Sequence, residues 1–77
     1  MRVGIIGASG LVGDKLIKLL LNNGYFDIKI CASLNSEGKI INYISNDVSH
    51  SFEMKKLDEH FFEDINVAFF CSDNSVA

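Results

Sequence analysis

Gly7, Gly10 and Gly13 recur every third residue between two stretches of opposite character, and that junction limits the chain to very few folds. Before it, Val3-Gly4-Ile5-Ile6 is short, rich in β-branched residues and closed by glycine, the pattern of a strand buried on both faces of a parallel sheet. After it the apolar period lengthens. Over Leu11 to Asn23, Val12, Leu16, Leu19 and Leu20 share a helical face that Ile17 and Leu21 widen, while Asp14, Lys15, Lys18 and Asn22 fall opposite. Gly24, behind Asn22-Asn23, supplies a C-terminal stop. Strand, glycine turn and amphipathic helix in this order predict the opening of a βαβ unit.

The next strand arrives where such a unit needs it. Ile28 to Ala32 is short and apolar, and a strand–helix–strand path of about 30 residues joins parallel strands by a right-handed crossover. Beyond Gly38, Lys39 to Ile44 reads as a strand, Ser45-Asn46-Asp47 as a turn, and Val48 to Met54 as an alternating strand. Val48, His50, Phe52 and Met54 point one way, and Ser49, Ser51, Glu53 and Lys55 the other. A short helix is expected around Asp58 to Glu63, then a final buried strand, Val67 to Cys71. These elements predict an α/β chain with a Rossmann-type dinucleotide-binding fold, an incomplete parallel sheet and an inserted β-hairpin. Residues 72–77 read as a loop entering a helix, so residues 1–77 are expected to be the N-terminal portion of a dinucleotide-binding domain, with the catalytic and dimerisation domain absent. Half of such a sheet would leave an edge or an apolar face uncovered.

The chemistry sits in Gly7-Ala8-Ser9-Gly10-Leu11-Val12-Gly13. Gly7 permits the tight turn out of the strand, Gly10 lets backbone amides approach a pyrophosphate, and Gly13 lets the helix pack close to the strand. The phosphates would meet the helix N-terminus, where the macrodipole favours negative charge. The spacing is G-x-x-G-x-x-G, and Asp14 after Gly13 excludes a P-loop. At the end of the second strand, where NAD-binding proteins often carry an acid for the ribose 2′-hydroxyl, the chain reads Ala32-Ser33-Leu34-Asn35-Ser36-Glu37-Gly38-Lys39. Hydroxyls, an amide and a lysine accept a 2′-phosphate better than a carboxylate does, so NADP is the expected cofactor, with NAD the alternative.

Other function classes are excluded by composition. A net charge of −3 and a pI near 5.1, with Lys55-Lys56 the only adjacent basic pair, leave no surface for nucleic acid. No apolar run approaches the ~20 residues of a membrane span, and glycines followed by Asp14 and Lys15 interrupt any signal peptide. A cytoplasmic protein with neither membrane nor nucleic-acid partner is expected. Cys31 and Cys71 lie in predicted strands, match no zinc spacing and read as inert core thiols. His50 reads as a core histidine, and His60, flanked by Glu59 and Glu63, as part of a solvated helix face without a metal.

Together these residues resemble the N-terminal part of the aspartate-semialdehyde dehydrogenases. The match covers the glycine loop Gly7–Gly13, the Ala32–Lys39 segment, and the strand and loop from Val67 to Ser75-Val76. The resemblance implies that Gly7, Ser9, Gly10, Leu11, Val12 and Gly13 cradle the pyrophosphate of NADP. It puts Ser33, Asn35 and Ser36 beside the adenosine ribose and its phosphate, and Ser72 towards the nicotinamide. It also implies reduction of aspartyl phosphate to aspartate semialdehyde through a cysteine thioester, and a homo-oligomer for the full-length family. Asn35 stands where the family usually has Arg, and Asp73-Asn74 where it has small neutral residues. The family's nucleophilic cysteine and catalytic histidine would lie beyond residue 77, so no catalytic residue is assigned here. The N-acetyl-glutamyl-phosphate reductases begin similarly and form the second reading. A non-catalytic nucleotide-binding module or gene remnant forms a third, and an epimerase-like Rossmann protein a fourth, which the predicted hairpin disfavours.

Overall fold

A computed structural model describes residues 1–33 and 37–71. The chain runs β1 (Arg2–Ile6), α1 (Leu11–Asn23), β2 (Asp27–Ala32), β3 (Ile40–Ser45), β4 (Val48–Lys55), a short 3-10 helix (Glu59–Phe62) and β5 (Val67–Phe70). The strands form one sheet in the order β3-β4-β2-β1-β5. Setting β3 aside, β4-β2-β1-β5 reproduces the 3-2-1-4 order of the doubly wound Rossmann fold. β1 pairs in parallel with both β2 and β5, and β2 in parallel with β4. Only β3 runs antiparallel, as the outer arm of the hairpin with β4. The expected hairpin is present, and its second strand is itself a member of the parallel sheet.

Alternation along β1 divides the core between the two sheet faces. Val3 and Ile5 enter a cluster with Ile17, Leu20, Cys31, Tyr43 and Met54 beneath α1. Ile6 packs with Ala32 and Phe61 on the opposite face, under the 3-10 helix. Asp58 caps that short helix by accepting a hydrogen bond from the His60 backbone N–H at 2.9 Å. His60 lies on its surface, with Nδ1 3.0 Å from the Glu63 carboxylate.

Two expectations require correction. The buried stripe of α1 is Gly13, Ile17 and Leu20, whereas Leu19 is 68% exposed and Val12 is also exposed. The helix is turned so that its glycine, which has no side chain, rests on the backbone of Gly7 and Ala8. β5 was expected to be buried; among the described residues it lies at the sheet edge, and Phe70 is 76% exposed.

Candidate functional site

The carboxyl ends of β2, β1 and β5 meet at one rim of the sheet, with β2 and β5 on opposite sides of β1. The chain leaves β1 towards β2 through α1 and reaches β5 from the far side, which makes this rim the topological switch point where open α/β sheets bind ligands. The glycine loop turns here. The Gly7 and Ala8 amides both donate to the Ala32 carbonyl, at 2.9 and 3.1 Å, and the Cys71 amide donates to the Ile6 carbonyl at 2.8 Å. The loop is thus stitched to both flanking strands.

Two glycines are demanded by contact as well as by sequence. Gly7 has φ +82, and a Cβ there would lie 2.0 Å from the Cys71 carbonyl oxygen. A Cβ on Gly13 would lie 2.6 Å from the Gly7 carbonyl oxygen and 2.7 Å from Ala8 Cα. The first turn of α1 therefore rests directly on the loop backbone. Gly10 occupies the N-cap in extended conformation with no side-chain cap hydrogen bond, which places the positive end of the α1 dipole at this rim. Leu11 and Val12 follow in the first turn with exposed side chains.

Two of the expected cofactor contacts, which stand 24 residues apart in the chain, touch. Ser9 Oγ lies 2.8 Å from Ser33 Oγ, and Ser33 is buried. The glycine loop and the end of β2 are joined by that bond. Asn35, Ser36 and Ser72 lie outside the described residues.

Beside this rim lies an open cavity of about 640 Å³ between α1 and β3, with Ser9, Gly10, Leu11, Asp14, Lys39 and Tyr43 on its walls. Asp14 and Tyr43 were not expected as site residues, whereas Lys39 belongs to the segment expected to favour a 2′-phosphate. Lys39 brings a cationic side chain to the cavity wall and forms no ion pair among the described residues. Asp14 accepts a hydrogen bond from the Tyr43 hydroxyl at 2.9 Å and pairs with Lys18 at 3.0 Å. The Lys18 hydrogen bond, followed by that of Tyr43, holds the Asp14 carboxyl below its usual range. Local periodicity assigned Asp14 to the solvated side of the helix, and no short-range signal links it to Tyr43.

The cysteines do not form a reactive pair. Cys31 is buried in β2, and burial, with the neighbouring Cys71 adding to it, pushes its thiol up to about 12, the opposite of nucleophile activation. Among the described residues no helix is long and apolar enough to cross a membrane.

Comparison with known proteins extends this picture. The family model described as semialdehyde dehydrogenase, NAD binding domain, matches residues 2–77. Similar curated proteins include the N-acetyl-gamma-glutamyl-phosphate reductase of Brachyspira hyodysenteriae, 37% identical over 70 residues that cover 90% of this chain and 20% of that protein. The Karelsulcia muelleri protein of the same name is 33% identical over 92% of this chain and 22% of its own length. That of Campylobacter jejuni is 38% identical over 77% of this chain and 18% of its own length. The chain spans about a fifth of the length of these relatives. No solved structure matches it. These relatives carry the name of the N-acetyl-gamma-glutamyl-phosphate reductases, not that of the aspartate-semialdehyde dehydrogenases.

Proposed function

Because the chain belongs to the semialdehyde dehydrogenase NAD-binding family, we propose that it is the dinucleotide-binding portion of an N-acetyl-gamma-glutamyl-phosphate reductase. In that role it would hold the nicotinamide dinucleotide whose hydride reduces an acyl phosphate to an aldehyde. The observation that carries the reading is the Ser9–Ser33 hydrogen bond at 2.8 Å. It unites the glycine loop with the end of β2 at the switch point, where pyrophosphate and ribose bind in folds of this order. Gly7, Gly10, Leu11, Val12 and Gly13 would offer backbone to the pyrophosphate, and Ser9 and Ser33 their hydroxyls. Asn35 and Ser36 would border the ribose, and Ser72 the nicotinamide side.

The names of the relatives favour this reductase over aspartate-semialdehyde dehydrogenase. The Ala32–Lys39 segment resembles the latter, but in this reading it would serve the cofactor. Substrate would be met by residues outside this N-terminal portion, so two enzymes that share a hydride donor can share this segment. NADP is preferred over NAD because no acid follows β2 before Glu37, and Lys39 brings a positive charge to the cavity. Catalysis is assigned to no residue of this chain.

Titration of NADPH and NADH into the purified chain, followed by nicotinamide fluorescence, tests the reading. The expected result for this stretch, about a fifth of its relatives' length, is saturable binding in the micromolar range or weaker, with NADPH the tighter ligand. Gly13→Val should abolish it. Absence of binding by either dinucleotide, or binding that survives Gly13→Val, overturns the reading.

A further inference from the structure

Among the described residues, Asp14 is the only carboxylate on the wall of the cavity that would receive the dinucleotide's phosphates. A free negative charge there opposes binding. Two donors from different elements engage its two oxygens. Lys18, one turn further along α1, lies 3.0 Å from Oδ2, and Tyr43, across the groove on β3, donates to Oδ1 at 2.9 Å. The Tyr43 ring is buried in the core beneath α1 and packs against Phe52 at a centroid distance of 6.1 Å. Its hydroxyl therefore projects from a fixed origin, unlike the exposed and flexible Lys18 stem. The hydrogen bond spans the same gap between α1 and β3 that forms the cavity.

We propose that Tyr43 is a positioning residue of the dinucleotide site: with Lys18 it pins the Asp14 carboxylate to the α1–β3 wall and keeps that charge away from the ligand's phosphates. The proposal rests on the dinucleotide reading above. Without the hydroxyl, Asp14 gains rotamers that point into the cavity, and its repulsion grows with the number of phosphate charges on the ligand. NADPH carries one phosphate more than NADH and should feel the loss more.

The test is titration of NADPH and NADH into the unsubstituted chain, Tyr43→Phe, Asp14→Asn and the double variant, with a thermal melt of each to verify folding. Tyr43→Phe should weaken NADPH binding roughly three- to tenfold, the size of a screened charge–charge repulsion at a few ångströms, and NADH binding less. Asp14→Asn should bind at least as well as the unsubstituted chain, and Tyr43→Phe with Asp14→Asn should recover its affinity. A purely structural hydrogen bond cannot give that recovery, because the double variant lacks the bond as well. Lys18→Ala, alone and with Asp14→Asn, repeats the logic at an exposed position where folding is not at risk. If Asp14→Asn weakens binding as much as Tyr43→Phe does, Asp14 is a ligand contact and the proposal fails. It also fails if the double variant stays weak, or if Tyr43→Phe changes nothing. Binding of neither dinucleotide by the unsubstituted chain overturns the underlying reading, and the proposal with it.

Discussion

Around Gly7 and Gly13, backbone packs on backbone: a single added carbon at either glycine would overlap a carbonyl oxygen. In the β3–β4 hairpin, by contrast, Ile40, Ile44 and Val48 lie open to solvent, with Ile44 80% exposed. Among the described residues the hairpin pairs with the parallel sheet at Cys31↔Met54 and Ala32↔Lys55. Tyr43 and Met54 anchor it in the core beneath α1, and Tyr43 also hydrogen-bonds Asp14. The two regions line the same cavity by different means. The loop offers main-chain groups whose positions are fixed by close packing, whereas the hairpin offers side chains, Lys39 and Tyr43, whose positions depend on a few long-range contacts. Steric tolerance should therefore be low in the first region and graded in the second.

The sharpest way to break this contrast is Gly7→Ala. The positive φ and the overlap with the Cys71 carbonyl should together cost more than about 3 kcal/mol, a large share of the roughly 4–11 kcal/mol available to a chain of this size. Urea denaturation at neutral pH should find the variant largely unfolded, and a folded variant with normal stability would mean that the loop is looser than its contacts imply. Next in size is Met54→Ala. Met54 is fully buried where β4 meets β2, and its truncation should cost about 2–5 kcal/mol. Hydrogen exchange should accelerate first in β3 and β4, while the amides of the glycine loop keep their protection. Uniform acceleration would show that the two regions open together.

A smaller effect comes from alkali. Burial raises the Cys31 thiol from 9.0 to about 12, and burial followed by the Asp14 hydrogen bond raises the Tyr43 phenol above its ordinary 10.0. Both groups hold their protons in the folded chain at pH values where the unfolded chain has released them. The stability they confer is complete below about pH 9 and falls as pH climbs towards the folded-state values, by about 1–2 kcal/mol at pH 10.5. The melting temperature should drop between pH 8 and pH 10.5, and Cys31→Ala should shrink that drop. An unchanged drop would place its origin elsewhere.

The regions also differ in how far the sequence reveals them. The bounds of α1, the glycine turn and the hairpin turn are legible because each is set by neighbours in the chain. The Ser9–Ser33 contact joins two segments that family resemblance had already marked. The rotation of α1 was not legible: Leu16, Ile17, Leu19, Leu20 and Leu21 form an apolar run wide enough to allow several faces, and the deciding residue is Gly13, whose contribution is the absence of a side chain. Asp14 was read as solvated because its partner stands 29 residues away. β5 looked buried because apolar content alone does not distinguish a central strand from one at the edge.

At the far end of the hairpin, Asn46 and Asp47 both adopt positive φ, at 53° and 64°. A two-residue turn of this kind suits Asn at its first position, but at its second it favours Gly over Asp. Ser45, next to it, reaches Asn22 in the last turn of α1, at 3.4 Å, so the turn sits roughly 16 Å along the helix from the glycine loop. Asp47→Gly should add about 0.5–1 kcal/mol and leave dinucleotide affinity untouched. The turn is thus a reserve of unused thermal robustness, open to adjustment by drift or by engineering without alteration of the cofactor rim.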